Sequence, residues 1–393
     1  MRLRAAVAAT MVAACASITA CSTHRPGGSW SELDAGTLAT REGVALVGVG
    51  AAVVAWGGLD SSTSPAAPRA DGALLDVLSG TWSALPPGPL SARHHPAVSA
   101  SGDNIVIVGG SSSTNPNDGG NLDGGAHLDL GTSTWSTIAA LPPEVVGRIG
   151  SRCTASVMTS EAMIVPCAVA TGGLPRYLVE SDRWDTLALP AGCASGSRTV
   201  PVATVWKDRF VVACASPDDR MRVAVSGPSD TWMVANGPAI ATIATPSGPE
   251  SNLVISSDDQ LVDIVDVSST TVYRFDPASG SFQGRADLPR ASVNAPISGD
   301  LWAGSIGGTT IVTSPSIDVA SVREALDDQA IGAGGTTGQL QRPFTDIDSP
   351  DGVARPWQRW QPLATDRALI VVSEPDGTHD PRSGHRLWRW TPN

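Results

Sequence analysis

The chain contains very little lysine and tyrosine, and its charge is predominantly of one sign. Lysine occurs once in 393 residues, at Lys207, and tyrosine occurs twice, at Tyr177 and Tyr273. Asp and Glu number 38 against 26 Lys and Arg, which gives a formal net charge of −12. An acidic surface argues against nucleic acid and against an anionic lipid surface as the partner.

The N-terminus has the pattern of an export signal. Two arginines precede an apolar run at residues 5–16, which is too short to span a bilayer. The tetrad Ile-Thr-Ala-Cys that ends at Cys21 resembles the lipobox of bacterial lipoproteins, whose cysteine is diacylated after the signal is cut. The resemblance implies a signal peptide over residues 1–20, a lipidated tether over residues 21–29, and extracytoplasmic anchoring to the bacterial cell membrane. A plain secretory signal is the alternative.

Aromatic residues recur along the chain at nearly even intervals. They are Trp30, Trp82, Trp135, Trp184, Trp232 and Phe282, with gaps of 52, 53, 49, 48 and 50 residues. A period of about 50 residues is typical of propellers whose blades have four strands. The segments between the aromatics contain β-forming runs bounded by turn residues, without a competing helical period. The sequence therefore predicts an all-β propeller of four-stranded antiparallel blades over residues 30–393.

Within each unit an apolar strand is followed by small residues. Residues 53–58 and 105–110 end in Gly-Gly, and a further strand then leads to the aromatic. These features resemble the kelch repeat of galactose-oxidase-type propellers. In the third and fourth units the glycine pair is replaced by residues 167–168 and 214–215, both Cys-Ala. The resemblance implies a propeller scaffold, on which both binding proteins and enzymes occur.

The two ends of the chain determine the number of blades. Residues 387–392 match residues 272–277, which lie just before Phe282, so the chain stops one strand short of a blade. A strand around Trp30 would supply the missing outer strand and remove the free edges of the sheet. With Trp360 taken as the aromatic that closes the sixth unit, the sequence predicts seven blades. Six blades are the alternative.

The sixth unit is longer than the others, and its excess lies at residues 314–358. A capping-box pattern within this insertion predicts a short helix over about residues 322–331. Long insertions on a rigid scaffold often carry function. Arg323 and Glu324 are therefore candidate binding residues, and a loop without function is the alternative.

The second unit contains a loop rich in oxygen ligands and turn formers at residues 115–124. The alternation that an EF-hand needs is missing, so the sequence predicts a long hairpin loop and not a calcium site. Its polar residues are candidates for binding a ligand. They are Asn117, Asp118, Asn121 and Asp123.

Four cysteines remain once the signal is removed and Cys21 is lipidated. An even number in an exported domain favours disulfides. Cys153 and Cys167 lie almost symmetrically about a turn, and Cys193 and Cys214 bracket the corresponding hairpin of the next unit. The preferred pairing is therefore Cys153–Cys167 and Cys193–Cys214. A bond between Cys167 and Cys214, which hold equivalent positions, is the alternative, and the spacings do not fit a zinc site.

Galactose oxidases build a copper site from two tyrosines, two histidines and a cysteine that is cross-linked to one of the tyrosines. Here Tyr177 and Tyr273 both fall on predicted third strands, and the cysteines are predicted to be paired. We therefore expect no copper site, and no other metal or cofactor. His94, His95 and His127 could converge in the second unit, but we expect them to be loop histidines on a solvated rim.

Arginines recur near the first strand of successive units. They are Arg41, Arg93, Arg152, Arg198 and Arg290. In the central channel they would form a positive funnel for acidic sugars, but repeated positions usually serve the repeat, so we expect them to bond inter-blade loops. No nucleophile elbow, phosphate loop or dinucleotide fingerprint occurs in a supporting context. The sequence therefore predicts no catalytic residues and a ligand- or protein-binding scaffold; a mutarotase- or lyase-like carbohydrate enzyme is the alternative.

Overall fold

The computed structural model describes these residues: 28–114, 120–150, 153–170, 172–193, 200–240, 253–266, 269, 271–287, 302–306, 309–314, 317–321, 346–347, 360–373 and 386–392. Within them the regular structure is β-strand, with three short 3-10 segments at Gly36–Thr40, Pro166–Ala168 and Pro228–Asp230. None of these ranges includes a helix long and apolar enough to cross a membrane.

Seven four-stranded antiparallel sheets follow one another along the chain, and we number them as blades 1 to 7. Blade 1 consists of Ala45–Val49, Ala52–Trp56, Gly72–Asp76 and Thr81–Ala84. Blade 2 consists of Ala97–Ser101, Asn104–Val108, Gly125–Asp129 and Thr134–Ile138. Blade 3 consists of Val157–Met158, Ala162–Ile164, Gly173–Leu178 and Arg183–Ala188. Blade 4 consists of Val202–Trp206, Arg209–Ala215, Arg220–Ser226 and Trp232–Ala239.

The remaining blades repeat this pattern. Blade 5 consists of Leu253–Ser257, Val262–Asp266, Thr271–Asp276 and Ser281–Asp287. Blade 6 consists of Trp302–Ile306, Thr309–Ser314, Ile317–Ser321 and Asp346–Ile347. Blade 7 consists of Trp360–Ala364, Leu369–Ser373, Arg386–Pro392 and, as its fourth strand, the N-terminal Gly28–Leu33.

Blade 7 is therefore built from both ends of the chain. Its fourth strand pairs antiparallel with its third, so that Ser29 lies opposite Thr391. Each first strand contacts the first strand of the next blade, and the first strand of blade 7 contacts that of blade 1. The predicted all-β propeller of seven four-stranded blades is thus confirmed.

One predicted blade boundary is wrong. Trp360 begins the first strand of blade 7, whereas the sequence analysis took it as the aromatic that closes the sixth unit. Blade 6 is closed by Asp346–Ile347, which pairs with Ile317–Ser321. Both strands lie inside the segment 314–358, so part of the predicted insertion belongs to the ring. The aromatic period failed here because the closing strand has only two residues and neither is aromatic.

The hydrophobic core lies between neighbouring blades. In the second strand of blade 2, Val106 and Val108 pack towards blade 3, while Ile105 and Ile107 pack towards blade 1. Successive side chains of a strand point to opposite faces of its sheet, so a strand with a neighbour on each side must be apolar throughout. All four side chains are fully buried, and each contributes about 1.5–3 kcal/mol by burial. This explains the continuous apolar runs in the repeat.

The closing tryptophans of blades 1 to 4 connect each of these blades to the preceding one through hydrogen bonds that we call indole latches. Each indole N–H donates to a main-chain carbonyl at 2.8–2.9 Å, in the pairs Trp82–Asp34, Trp135–Pro86, Trp184–Ala139 and Trp232–Ala188. The acceptor always lies four residues after the aromatic of the preceding blade, as Asp34 follows Trp30. Phe282 has no N–H, and its ring instead lies 2.9 Å from the position that a Cβ on Gly237 would occupy.

Side-chain and main-chain hydrogen bonds also join blade 7 to blade 1. Arg389, on the third strand of blade 7, donates to the carbonyls of Val77 at 2.6 Å and Leu78 at 2.7 Å. The main-chain N–H of Asp366 donates to the carbonyl of Gly50 at 3.0 Å. The first and last blades in the sequence therefore contact each other as other neighbouring blades do.

The indole latch predicts different costs for two substitutions of one tryptophan. Trp135→Phe should lower the free energy of unfolding by about 1 kcal/mol, because it keeps an aromatic ring and loses one hydrogen bond. Trp135→Ala should lower it by about 3 kcal/mol or more, because the packing of the ring is also lost. Equilibrium unfolding in denaturant measures both values. A Trp135→Phe variant as stable as the unaltered protein would contradict the latch, and an unchanged Trp135→Ala would contradict the blade assignment.

Candidate binding face

One end of the ring carries most of the features that the sequence singled out. At this end the first strand of each blade begins and the second strand ends, as the pairing of Ala97 with Val108 shows in blade 2. We call it the entry face, and the opposite end the exit face. The loops between blades and those between second and third strands lie on the entry face.

In blade 2 a buried arginine joins the loops of the entry face. Nη1 of Arg93 donates to the carbonyls of Gly109 at 3.0 Å and Gly124 at 2.7 Å, and the residue is 3 % exposed. Burial lowers the pKa of Arg93 to about 10, while the charge of Asp123 acts in the opposite direction. The guanidinium therefore keeps its charge at neutral pH and holds the two ends of the loop together.

Arg41 makes the equivalent bonds in blade 1. It donates to the carbonyls of Gly57 and Asp71, both at 3.3 Å, and its guanidinium pairs with the Asp71 carboxylate at 2.7 Å. Arg41 and Arg93 each lie four residues before the first strand of their blade. Both arginines thus have the expected structural role. Three further members of the series lie outside the described residues: Arg152, Arg198 and Arg290.

In blades 3 and 4 disulfides take the place of these arginines. Cys153 also lies four residues before a first strand, and it is bonded to Cys167, with a Cα–Cα distance of 5.4 Å. Cys193 is bonded to Cys214 at the end of the second strand of blade 4, with a Cα–Cα distance of 5.8 Å. These are the pairs preferred from the sequence. Four consecutive blades therefore have cross-linked entry loops, two by arginine and two by cystine.

A small sheet lies on the entry face of blade 1 and extends onto blade 2. Its strands are Arg41–Glu42, Leu59–Asp60 and Ala67–Pro68. Isolated β-bridges continue it in the pairs Arg69–Arg93, His94–Ser111 and Ser111–Asn121. We call this arrangement the cap strip. It links the loops of two blades through main-chain hydrogen bonds, so the surface that it forms is ordered.

A buried carboxylate fixes the hairpin of the cap strip. Asp60 is 5 % exposed, accepts hydrogen bonds from the main chain and hydroxyl of Ser62, and forms an ion pair with Arg69. Burial acts to raise the pKa of Asp60, but the hydrogen bonds from Ser62 and Arg69 outweigh it and hold the pKa well below its usual range. Asp60 therefore stays ionised over the whole physiological range, and it has a structural role.

His94 and His95 lie at the seam between blades 1 and 2 and bond to each other, with 2.7 Å between their Nδ1 atoms. Nε2 of His94 is 2.8 Å from the carbonyl oxygen of Ser113, so it carries the proton and donates. Nδ1 of His94 is then the acceptor, and Nδ1 of His95 donates to it. This leaves a lone pair on Nε2 of His95, to which no group in the described ranges donates a hydrogen bond.

The backbone of His95 is strained, and its neighbours hold it in that conformation. Its φ of 50° is in the left-handed region, which costs energy for any residue other than glycine. Its N–H donates to the carbonyl of Gly43 at 2.7 Å, and a Cβ on Gly43 would lie 2.6 Å from Cε1 of the ring. Burial is the main cause that lowers the pKa of His95 to about 4, and repulsion from His94 in its protonated form is the smaller cause. The imidazole of His95 is therefore neutral at physiological pH.

The other predicted site residues do not join this pair. His127 bonds through Nε2 to Oδ1 of Asn104 at 2.8 Å, at the exit end of blade 2. Asn121 forms the last bridge of the cap strip. The negative charge of Asp123 acts to raise the pKa of Arg93. The remaining candidates lie outside the described residues: Asn117, Asp118, Arg323, Glu324 and the predicted helix at residues 322–331.

The described residues do not assemble the copper ligands of galactose oxidase. Tyr177 is buried in blade 3, where its hydroxyl donates to Asp182 at 2.9 Å, and burial is the main cause that raises its pKa. Tyr273 lies in blade 5, and the four cysteines of the described part are all in disulfides. Nowhere in that part are three or more His, Cys, Asp or Glu side chains placed to hold a metal ion.

The sequence analysis missed several groups that shape the entry face. It did not single out Gly43, Ser113, or the ion pair of Asp60 with Arg69. A glycine directly before an apolar strand is a weak signal for the close approach at Gly43. The role of the Ser113 carbonyl cannot be read from the sequence, because every residue has a main-chain carbonyl.

Comparisons with known proteins support the fold. No family model and no curated protein matches the chain. Among solved structures, it is similar to a fungal alcohol oxidase of the AA5 family, determined in complex with copper. The TM-score is 0.55 at 15% sequence identity, over 93% of this chain and 76% of that one. At this identity the likeness bears on the fold alone.

Removing either kind of cross-link from the entry face should lower the free energy of unfolding. The double variant Cys193→Ser/Cys214→Ser should lower the free energy of unfolding by about 3 kcal/mol. Arg93→Met should cost about 2–4 kcal/mol, because two carbonyls lose their buried donor. The control Arg183→Met should cost less than about 1 kcal/mol, because the Arg183 side chain is exposed and its ion pair with Asp185 is long, at 3.8 Å. Denaturant unfolding of the oxidised protein measures all three. Equal values for Arg93→Met and the control would contradict the clamp.

The half-buried imidazole of His95 predicts a loss of stability in acid. Unfolded His95 takes up a proton near its ordinary pKa of about 6.5, whereas folded His95 does so only at about 4. The unfolded state therefore binds more protons between these values, and stability should fall as the pH is lowered from 6.5 to 4. His95→Asn, which tolerates the left-handed backbone, should reduce this slope, and the control His127→Gln should not. Equal slopes in all three proteins would contradict the assignment.

Proposed function

We propose that the chain is an extracytoplasmic binding protein, held to the cell membrane by a lipid on Cys21. It presents the entry face of its propeller to a ligand or protein partner in the cell envelope. The observation that carries this proposal is the cross-linking of the entry loops in four consecutive blades. Loops ordered before binding lose little conformational freedom on binding, which favours affinity.

The two ends of the ring also differ in the length of their connections. In blades 1, 2 and 4 only two residues separate the first strand from the second on the exit face. On the entry face, residues 57–71 and 109–124 connect second to third strands in blades 1 and 2. Long loops on a rigid scaffold are the usual carriers of binding function. This difference supports the entry face as the binding surface.

The position of the N-terminal strand supports an outward orientation of the entry face. Gly28 lies opposite Pro392, which ends a third strand and therefore lies at the exit end of blade 7. Six residues separate Gly28 from Cys21, and the seven steps between these two residues span at most about 25 Å. A lipid on Cys21 would therefore hold the exit face near the membrane. The entry face would then point away from the bilayer.

A carbohydrate-active enzyme on the same scaffold is the second candidate. The observation that favours it is His95, because strained backbone and shifted pKa values concentrate at functional sites. An imidazole with a pKa of about 4 is, however, a weak base at neutral pH. Binding is for this reason the first proposal. Turnover of a glycan that depends on His95 would establish the enzyme instead.

The proposal is tested by site-specific photo-crosslinking in the cells that make the protein. A photo-reactive residue at Ser112, exposed on the entry face, should give a discrete adduct. The same residue at Asp103, exposed on the exit face of the same blade, should not give that adduct. Cys21→Ser should move the protein out of the membrane fraction. Adducts of equal yield from both positions, or membrane retention of the Cys21→Ser variant, would contradict the proposal.

A further inference from the structure

The lone pair of His95 is held in a fixed direction. Its Nδ1 donates to Nδ1 of His94 at 2.7 Å, and His94 is fixed in turn by the carbonyl of Ser113 at 2.8 Å. The main chain of His95 is bonded to Gly43. A side chain with a strained backbone, held by His94 and by Gly43, is preorganised for a contact with something else. Within the described residues that contact is not made by the protein.

The chemistry of this nitrogen restricts the ligand. An unprotonated Nε2 accepts a hydrogen bond and cannot donate one, so a carboxylate or phosphate oxygen would face it lone pair to lone pair. The desolvation that keeps the ring neutral would also oppose a cationic ligand. The group that fits is a neutral hydrogen-bond donor.

The surrounding surface favours a hydroxyl-bearing ligand over a protein. Glu42, Ser91, Ser112 and Asn121 are exposed polar residues of the entry face in blades 1 and 2. The large apolar side chains exposed in the described part of the chain are Leu78, Met233 and Val234, on or beside exit-end turns. Protein interfaces are usually anchored by apolar or aromatic side chains, and the described surface around His95 offers none of these exposed groups.

We propose that Nε2 of His95 is the hydrogen-bond acceptor of a binding site for a neutral sugar, at the seam between blades 1 and 2. His94 is a positioning residue, because it fixes the tautomer and the direction of the His95 ring. Gly43 provides the space in which that ring lies. This inference rests on the proposed binding function of the entry face and gives its ligand a chemical class.

The test uses the full-length protein in detergent, with nitrogen-15 in its histidine rings. Proton–nitrogen correlation spectra should show His95 protonated at Nδ1 and bare at Nε2, with His94 the reverse. A mixture of glucose, mannose and N-acetylglucosamine should shift the His95 Nε2 resonance in a saturable way. Acetate, which at neutral pH offers only acceptor oxygens, should not shift it.

Two glycine variants separate the site from general damage. Gly43→Ala should weaken sugar binding about tenfold or more, because the added methyl displaces the acceptor ring. Gly102→Ala carries the same backbone strain, with φ of +55° against +60° at Gly43, but nothing lies within 4 Å of its Cβ position. It should bind sugar as the unaltered protein does. His95→Phe removes both the acceptor and its resonance, so the His94 resonances are followed in this variant, and the neutral sugars should not shift them.

Four results would overturn the inference. These are a proton on Nε2 of His95 in the free protein, no saturable shift with the neutral sugars, an equal shift with acetate, or equal binding by the Gly43→Ala and Gly102→Ala variants. The proposed binding function would survive any of them if Ser112 still gives its specific adduct. If that adduct is also missing, the proposed function itself has failed.

Discussion

The interaction on which the first four blades depend is the hydrogen bond from a closing tryptophan to the preceding blade. Each indole latch uses one N–H and one main-chain carbonyl, four residues beyond the previous aromatic. The period of the sequence thus places the same contact at the same point of each of these blades. The latch of Trp82 uses Asp34 on the N-terminal segment, so the same contact also links blade 1 to blade 7. The apolar layers between blades depend on this spacing.

The entry face shows that one structural requirement can be met by two chemistries. The loop before the first strand must be fixed to the end of the second strand, and Arg93 does this with hydrogen bonds where Cys153 does it with a covalent bond. The arginine clamp needs two main-chain carbonyls close together, which the glycines at Gly109 and Gly124 allow. The disulfide needs only a second cysteine near the end of the second strand, which is Cys167 in blade 3. The result is a fixed contact between the two loops, beside which a binding group such as His95 can lie.

The period, the apolar runs and the two chain ends were enough to predict the propeller, because each reflects a constraint that every blade repeats. The end of the sixth blade was predicted wrongly, because its closing strand Asp346–Ile347 has no aromatic residue. Trp360 was therefore assigned to blade 6, whereas it begins blade 7. The pairing of the cysteines followed from hairpin symmetry. The His94–His95 contact did not, because it depends on the carbonyl of Ser113 and on the space above Gly43. Contacts between loops of different blades have no period to reveal them.

The pairing of the two chain ends is the contact that tests the account most directly. Ser29 and Thr391 lie opposite each other, with their hydroxyl oxygens 3.5 Å apart. Cysteines at these two positions should form a disulfide in air and raise the midpoint of thermal unfolding. Cysteines at Glu32 and Thr391, three residues out of register, should remain reduced, because strand geometry places their Cα atoms more than about 7 Å apart. A bond in the second pair, or none in the first, would contradict the seven-bladed ring.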